Sequence, residues 1–167
     1  MESFPIAPMD RLFRVLTALL MGLPVLFAIL MLTSPWPLPL LFGGVGAIVG
    51  LLYTWIWFYW RPSQFRLDTA HLHIEFPRRQ LVVELSEVAA VQVYDAHQDF
   101  VNDWGPGVRI GAGGLWGAFG WLKTSKGLLQ MYITRNEQLV VIEFTGRKPL
   151  LITPDQAQDF VYALESI

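Results

Sequence analysis

The first third of the chain is dominated by apolar, uncharged positions. Residues 15–60 contain no Asp, Glu, Lys, Arg or His, and a bilayer core of about 30 Å needs about 20 helical residues per crossing. Residues 15–32 and residues 38–60 are each long enough, and the short segment between them is too small to be a domain. The pattern predicts a transmembrane helical hairpin within residues 11–60, preceded by an extended leader at residues 1–10.

A cleaved signal peptide is the alternative interpretation of the first apolar run. That run is long, has no small-residue cleavage site before Pro35, and is followed at once by a second apolar run. These features favour two spans. Arg11 and Arg14 precede the first span and Arg61 follows the second, whereas the turn between them has no basic residue. Because short loops rich in Arg and Lys stay in the cytoplasm, we expect an inner-membrane protein with both termini cytoplasmic.

Beyond residue 61 the apolar positions occur in short runs typical of strands. Turn residues separate these runs, and Val, Ile, Leu and aromatic residues fill them. The predicted strands include Leu67 and residues 71–76, 81–85, 88–94, 128–134, 139–144 and 149–152.

The end of the chain has the pattern of one amphipathic helix, at residues 154–165. Thr153 is a candidate N-cap, Pro154 fits the first helical position, and Gln156 completes a capping box. Apolar residues then recur at helical spacing. The predicted fold class is therefore an α+β membrane protein. Its hairpin precedes a bent antiparallel sheet of about seven strands, which the C-terminal helix caps.

Several segments together resemble a known family. The strand meander, the glycine and aromatic segment at residues 111–121, the strand at residues 131–134 and the ending at residues 152–161 are similar to bacterial PH-like domain proteins with two N-terminal membrane helices. The resemblance covers roughly the whole chain. It implies a pleckstrin-homology fold for a cytoplasmic domain at residues 61–167 and a role as a membrane-tethered interaction module. Some related proteins assist the assembly of photosynthetic complexes, and the resemblance provides no catalytic motif.

Two features of the hairpin suggest contacts. Gly46 and Gly50 form a small-xxx-small step that lets a helix approach closely. That helix is either the first span of this chain or a different protein. Trp55, Trp57 and Trp60 crowd the end of the second span, where aromatic rings typically form an interfacial belt. Their density also suggests contact with a partner, a lipid or a pigment.

Other candidate contacts lie outside the hairpin. Residues 111–117 superficially resemble a dinucleotide-binding loop but lack the required following helix, so we expect a bend or bulge with close backbone approach. The aromatic residues there either fill the core or dip into the membrane interface. The predicted partner or lipid contacts are Phe4, Pro5, Pro8, Trp116, Phe119 and Trp121. The predicted headgroup contacts, which could equally be ordinary solubilising charges, are Lys123, Lys126, Arg147 and Lys148.

Catalytic and metal chemistry have weaker support in the sequence. His71, His73 and Glu75 alternate on one strand face, a spacing that a metal site can use but that is also common on solvated sheets. Asp95, Asp99 and Asp103 lie in a predicted loop without a nucleophile nearby. The chain has no cysteine, which excludes disulfides and thiolate sites, and its formal net charge of −2 argues against nucleic-acid binding. We predict no catalytic residue, metal or cofactor.

The functional prediction is a non-enzymatic, membrane-anchored accessory or assembly subunit. It would dock on a larger integral membrane protein complex, photosynthetic or respiratory, and would contact the bilayer but neither nucleic acid nor a small-molecule substrate. The first alternative is a module that senses anionic lipids through basic turns. The second alternative is a metal-dependent enzyme or transporter component that uses His71 and His73.

Overall fold

Two long helices form the N-terminal hairpin. The structure, a computed structural model, describes residues 2–167. Helix α1 spans Arg11–Thr33 and helix α2 spans Leu38–Tyr59, and the two pack side by side. Both are long and apolar enough to cross a bilayer, and little of either is buried within the chain. Helix α1 begins at Arg11, before the uncharged run, because the Asp10 side chain accepts a 2.8 Å hydrogen bond from the backbone N–H of Phe13.

The four-stranded sheet combines the leader with the first part of the domain. Its order is β1-β2-β3-β4, and every neighbouring pair is antiparallel. The leader therefore folds back onto the domain, and Phe4 lies opposite Phe65 in the register. The strands are β1 (Glu2–Pro5), β2 (Gln64–Leu67), β3 (His71–Glu75) and β4 (Gln80–Glu84).

The six-stranded sheet forms the larger layer. Its order is β5-β9-β10-β8-β7-β6, in which β10 and β8 are parallel and the other neighbours are antiparallel. The predicted α+β fold class, a helical hairpin followed by a β-sheet domain with a C-terminal helix, is confirmed. In detail, the expected seven or so antiparallel strands are two sheets with nine described strands after α2 and one parallel pair. The strands are β5 (Val88–Tyr94), β6 (Val108–Gly113), β7 (Ala118–Lys123), β8 (Leu128–Ile133), β9 (Leu139–Phe144) and β10 (Leu150–Ile152).

Two short helices complete the domain. Helix α3, His97–Trp104, occupies a segment expected to be a loop. Helix α4, Ala157–Glu165, is the predicted C-terminal helix but begins later than predicted. The expected N-cap is wrong because Thr153 is fully buried and its hydroxyl accepts a 3.0 Å hydrogen bond from the backbone N–H of Thr134.

Both faces of the central strands of the six-stranded sheet are buried. Side chains alternate across a strand, so Val140 and Ile142 face one cluster while Leu139 and Val141 face the other. The first cluster lies between the two sheets and is closed by α4, and the second is covered by α3 and by the first turn of α1. The hairpin and the domain therefore share a core.

Candidate functional site

The β6–β7 turn connects the domain to the two long apolar helices. The Thr17 hydroxyl on α1 donates a 3.0 Å hydrogen bond to the carbonyl oxygen of Gly114 and accepts a 2.8 Å bond from the backbone N–H of Trp116. The aliphatic side chains of Leu16 and Leu20 face Gly114. We call this contact between the β6–β7 turn and the two helices the junction.

Aromatic rings from α2 complete the junction. Trp116 packs edge-to-face against Trp57, at 4.8 Å between ring centroids, and against Tyr53 at 6.4 Å. The Tyr53 hydroxyl donates to the carbonyl oxygen of Leu20, which also ties α2 to α1. The Arg61 guanidinium lies 4.4 Å from the centroid of Trp57, and its burial lowers the pKa of that group. The junction fixes the domain at the end of the hairpin.

Glycines permit the two strands of the junction to approach closely. Gly111 and Gly120 face each other across β6 and β7, with φ angles of 138° and 131°. A Cβ at Gly111 would clash with the Phe119 carbonyl oxygen, and a Cβ at Gly120 would clash with the Ile110 carbonyl oxygen. The prediction of close backbone approach in this segment is confirmed.

The hairpin glycines have different surroundings. A Cβ at Gly46 would lie 3.2 Å from the Cβ of Phe27, so this glycine packs against the first helix of the same chain. A Cβ at Gly50 would have no described atom within 4 Å. Of the two glycines in the predicted pair, only Gly46 therefore packs against the other helix of this chain.

The predicted aromatic and leader contacts divide into buried and exposed groups. Phe4 and Phe119 lie in the core of this chain, which removes them from the predicted contact surface. Pro5 and Pro8 are exposed, Trp60, Trp116 and Trp121 are partly buried, and Trp57 and Trp55 are 37% and 55% exposed. Trp55 stacks on Tyr59 at 4.5 Å between centroids. The free aromatic surface therefore belongs to the end of α2.

The predicted headgroup residues are scattered. Lys126 forms a 2.6 Å ion pair with Asp103, and Arg147 lies 3.8 Å from Glu87. Lys123 is exposed at the end of β7 that is distant from the junction. The Lys148 ammonium lies 4.7 Å from the centroid of a Trp121 ring. Of these four residues, only Lys148 therefore lies against one of the predicted aromatic contact residues.

Two other basic residues are closer to the end of the hairpin. The backbone N–H of Arg78 donates a 3.3 Å hydrogen bond to the Phe58 carbonyl oxygen, and its guanidinium lies 5.3 Å from the Phe58 ring. Arg79 follows it in the β3–β4 turn. The sequence shows two adjacent arginines in a turn, which is a signal for a basic site. It does not show that this turn lies beside α2, because that position depends on the tertiary fold.

Two adjacent cavities lie between α2 and the domain, the first over β6 and the second over β7 and β8, with Trp55 and Trp60 in the walls of both. The first, of about 460 Å³, is walled mainly by apolar groups that include Leu20, Leu52 and Ala112. The second, of about 300 Å³, is lined by polar groups as well as rings, including Arg79, Gln130 and Tyr132. Together we call them the α2 groove.

The histidine strand forms a polar cluster with a different composition from the predicted one. Asp68 accepts hydrogen bonds from the backbone N–H groups of Ala70 and His71 and lies 2.8 Å from His73 Nε2, which holds the pKa of this carboxyl well below its usual range. Asp68, His71 and His73 are the described side chains whose ligand atoms could hold a metal, all within 4.8 Å of one another.

Glu75 does not join that cluster. It forms an ion pair with Arg66 at 3.0 Å and a hydrogen bond with Gln64. The His73 Nδ1 atom is engaged 2.8 Å from the amide nitrogen of Gln80. The hydrogen bonds around the histidines of β3 therefore serve the β2–β3 turn and the pairing of β3 with its neighbouring strands. The side chains that could hold a metal with His71 and His73 include Asp68 and not Glu75.

The acidic residue Asp103 of α3 serves packing contacts. Asp103 accepts a 2.5 Å hydrogen bond from the Tyr94 hydroxyl, which in turn accepts from Trp104 Nε1 at 2.9 Å. Lys126 lowers the pKa of Asp103, while burial raises the pKa of Tyr94. This network joins α3 to β5 and to the β7–β8 turn.

The fold and the junction define a PH-like β domain fixed to a pair of long apolar helices. Comparison with protein families gives one match, to the bacterial PH domain family over residues 63–167. The match covers more than half of the chain, and the protein belongs to this family. No curated protein and no solved structure matches the chain.

Proposed function

We propose that this protein is a non-enzymatic, membrane-anchored accessory subunit that docks on a larger integral membrane protein complex and stabilises it or assists its assembly. Its PH domain faces the cytoplasm, as do both termini. The observation that carries the proposal is the junction. Because Thr17 and Trp116 fix the domain to the helices, the hairpin and the domain present one surface of fixed geometry to a partner in the membrane.

The exposed face of the hairpin supports a docking role. Leu19, Ile48 and Leu51 are 67–71% exposed within the chain. Gly44, one turn before Ile48 on the same face of α2, leaves open space beside the helix. In a membrane, helices associate through close packing at small residues rather than through the hydrophobic effect. A second membrane helix could therefore pack here without displacing any contact within this chain.

The membrane anchor also explains how individually weak contacts could be sufficient for binding to a membrane partner. Confinement to the bilayer raises the effective concentration of the PH domain near a membrane partner, so individually weak contacts from the hairpin and the domain add. The hydrogen-bonded roles of Asp68 and Asp103 in the fold favour this function over an enzymatic one.

Site-specific photocrosslinking in cells tests the docking proposal. A photoreactive amino acid replaces Ile48 or Leu51 on α2 of the full chain, and the matched control position is Tyr162 on α4, which is 77% exposed and remote from the hairpin. We expect both α2 positions to form adducts with the same integral membrane protein and Tyr162 to form none with it. Adducts are identified by mass spectrometry.

The partner must also form a discrete particle with this protein. Extraction in mild detergent followed by native electrophoresis should place the chain and the crosslinked partner in one band. Lipid adducts alone from both α2 positions, together with migration of the chain at the size of a monomer or self-associated form, would contradict the proposal.

A further inference from the structure

The α2 groove has an apolar part that borders the membrane-spanning segments. Leu20 lies on α1 and Leu52 on α2, and Ala112 and Leu115 close the opposite wall. Leu52 is 53% exposed, so this wall continues into the surface that the hairpin presents to the bilayer. The volume of about 460 Å³ lies within the range of about 300–1,000 Å³ typical of small-molecule sites. An alkyl chain could enter from the bilayer without crossing water.

The other part of the groove carries hydrogen-bond donors. The hydroxyl oxygen of Tyr132 accepts hydrogen bonds from Gln130 Nε2 at 2.7 Å and from Arg79 Nη2 at 3.3 Å. These two bonds leave the hydroxyl hydrogen of Tyr132 free to donate. Tyr132 is only 1% exposed as a residue, yet it lines the groove. The site is therefore built around a buried polar side chain.

The cation in the wall of this part of the groove is Arg79, and Lys148 lies outside the wall, against the ring of the wall residue Trp121. Neither charge is compensated. Within residues 2–167, neither Arg79 nor Lys148 has a carboxylate within 4.0 Å, whereas Lys126 and Arg147 are both paired. Arg79 stacks on Phe76 at 4.1 Å and Lys148 on Trp121 at 4.7 Å. Stacking of this kind orients a cation and leaves its N–H groups available to an anion.

We propose that the α2 groove binds one anionic glycerophospholipid from the surrounding bilayer. An acyl chain lies in the apolar part beside Leu52, and the phosphate accepts hydrogen bonds from Arg79 and Tyr132, with Lys148 adding positive charge. The donors lie beside Tyr59, where α2 ends, which is the level expected for lipid headgroups. This amphiphilic match favours a lipid over a soluble peptide, and it does not depend on the proposed docking function.

The experiment uses the full chain in nanodiscs of phosphatidylcholine with a minor fraction of phosphatidylglycerol. After transfer to mild detergent, native mass spectrometry counts the lipids that each variant retains. Arg79→Gln removes the charge at the groove, and Lys123→Gln removes the same charge at an exposed site at the far end of β7. Leu52→Trp obstructs the apolar part, and its control is Leu51→Trp on the neighbouring, more exposed position.

We expect the unmodified chain and both controls to retain a single phosphatidylglycerol in preference to phosphatidylcholine. Loss of the charged hydrogen bond in Arg79→Gln should lower that preference about tenfold. Leu52→Trp should lower retention of both lipids. Because Leu52 is exposed, this variant keeps the test decisive even if Arg79→Gln fails to fold.

Two results would overturn the inference. One is equal preference for phosphatidylglycerol in Arg79→Gln and Lys123→Gln, which would indicate only general surface charge. The other is equal lipid retention by Leu52→Trp and Leu51→Trp, which would indicate only annular lipid around the hairpin. Neither result would alter the crosslinking expected for the docking function, so the two proposals fail separately.

Discussion

Thr17 differs from the other threonines of the hairpin. Thr33 and Thr54 each donate to the carbonyl oxygen four residues earlier in their own helix, at 2.9 Å, which is the usual bond of a threonine inside a helix. The Thr17 hydroxyl instead bonds to Gly114 and Trp116 in the domain. One side chain therefore satisfies a backbone acceptor and a backbone donor that the turn leaves unpaired.

Thr17→Val should loosen the junction. The change keeps the shape of the side chain but leaves the Gly114 carbonyl and the Trp116 N–H without their partner, at a cost of about 1–3 kcal/mol in the free energy of unfolding. Thr54→Val is the matched control, since it removes only a local helical bond at an exposed position. Denaturant unfolding in detergent measures the free energy, and hydrogen exchange reports on the β6–β7 turn.

A result in which both variants lose the same stability, with no faster exchange in that turn, would contradict the role assigned to Thr17. No sequence pattern could have indicated this role. The partners of Thr17 are 97 and 99 residues away along the chain, and a threonine within an apolar helix otherwise bonds locally.

At the scale of elements, locally encoded features could be predicted and those encoded by distant contacts could not. A run without charges predicts both long apolar helices from composition alone, and the apolar spacing of the last segment identifies α4. The β6 and β7 strands were missed because glycine is a poor strand former, and here it is needed for close contact at Gly111 and Gly120. Phe100 and Trp104, spaced by four residues, were the available signal for α3.

The N-terminal leader contains a strand that the local sequence pattern could not predict. Nothing local marks Glu2–Pro5 as β1, because its pairing partner β2 lies beyond the whole hairpin. Once paired, Phe4 packs edge-to-face against Phe160 of α4 at 5.3 Å between centroids. The Ala7 and Pro5 backbones also bond to Thr153 and Asp155, just before α4. The leader thereby closes the edge of the sheet and holds α4.

Phe4→Ala should therefore destabilise the domain. Truncation of a buried Phe costs about 3–5 kcal/mol through lost burial and the cavity left behind. Ser3→Ala, at the exposed neighbouring position of the same strand, should cost less than about 0.5 kcal/mol. Denaturant unfolding of both full-length variants in detergent gives the comparison. Equal stability of the two would mean that β1 contributes no packing energy.

At the scale of the whole molecule, one end of the hairpin carries all of the folded domain. The start of α1 and the end of α2 meet there, and Phe13 and Ile56 enter the domain core from the two helices. Arg11, Arg14 and Arg61 lie at that end, whereas the turn between the helices has no basic residue. The hairpin and domain organisation could be predicted from this pattern, but the shared core could not.

The charge distribution makes a specific prediction about orientation. Basic residues flanking a span stay in the cytoplasm, so the turn between the helices should face the opposite side of the membrane from the domain. The chain has no cysteine, which allows single-cysteine variants without a background signal. Ser34→Cys places a thiol just after α1, and Gln98→Cys places one on the exposed face of α3.

A membrane-impermeant maleimide applied to cells with a permeabilised outer layer but an intact inner membrane should label Ser34→Cys and not Gln98→Cys. After the inner membrane is broken, both should be labelled, which controls for thiol reactivity. Labelling of Gln98→Cys while the inner membrane is intact would show that the orientation is the opposite of the predicted one. That outcome would place the arginine-rich end of the hairpin outside the cytoplasm, against the charge rule, and would remove the basis for a cytoplasmic docking function.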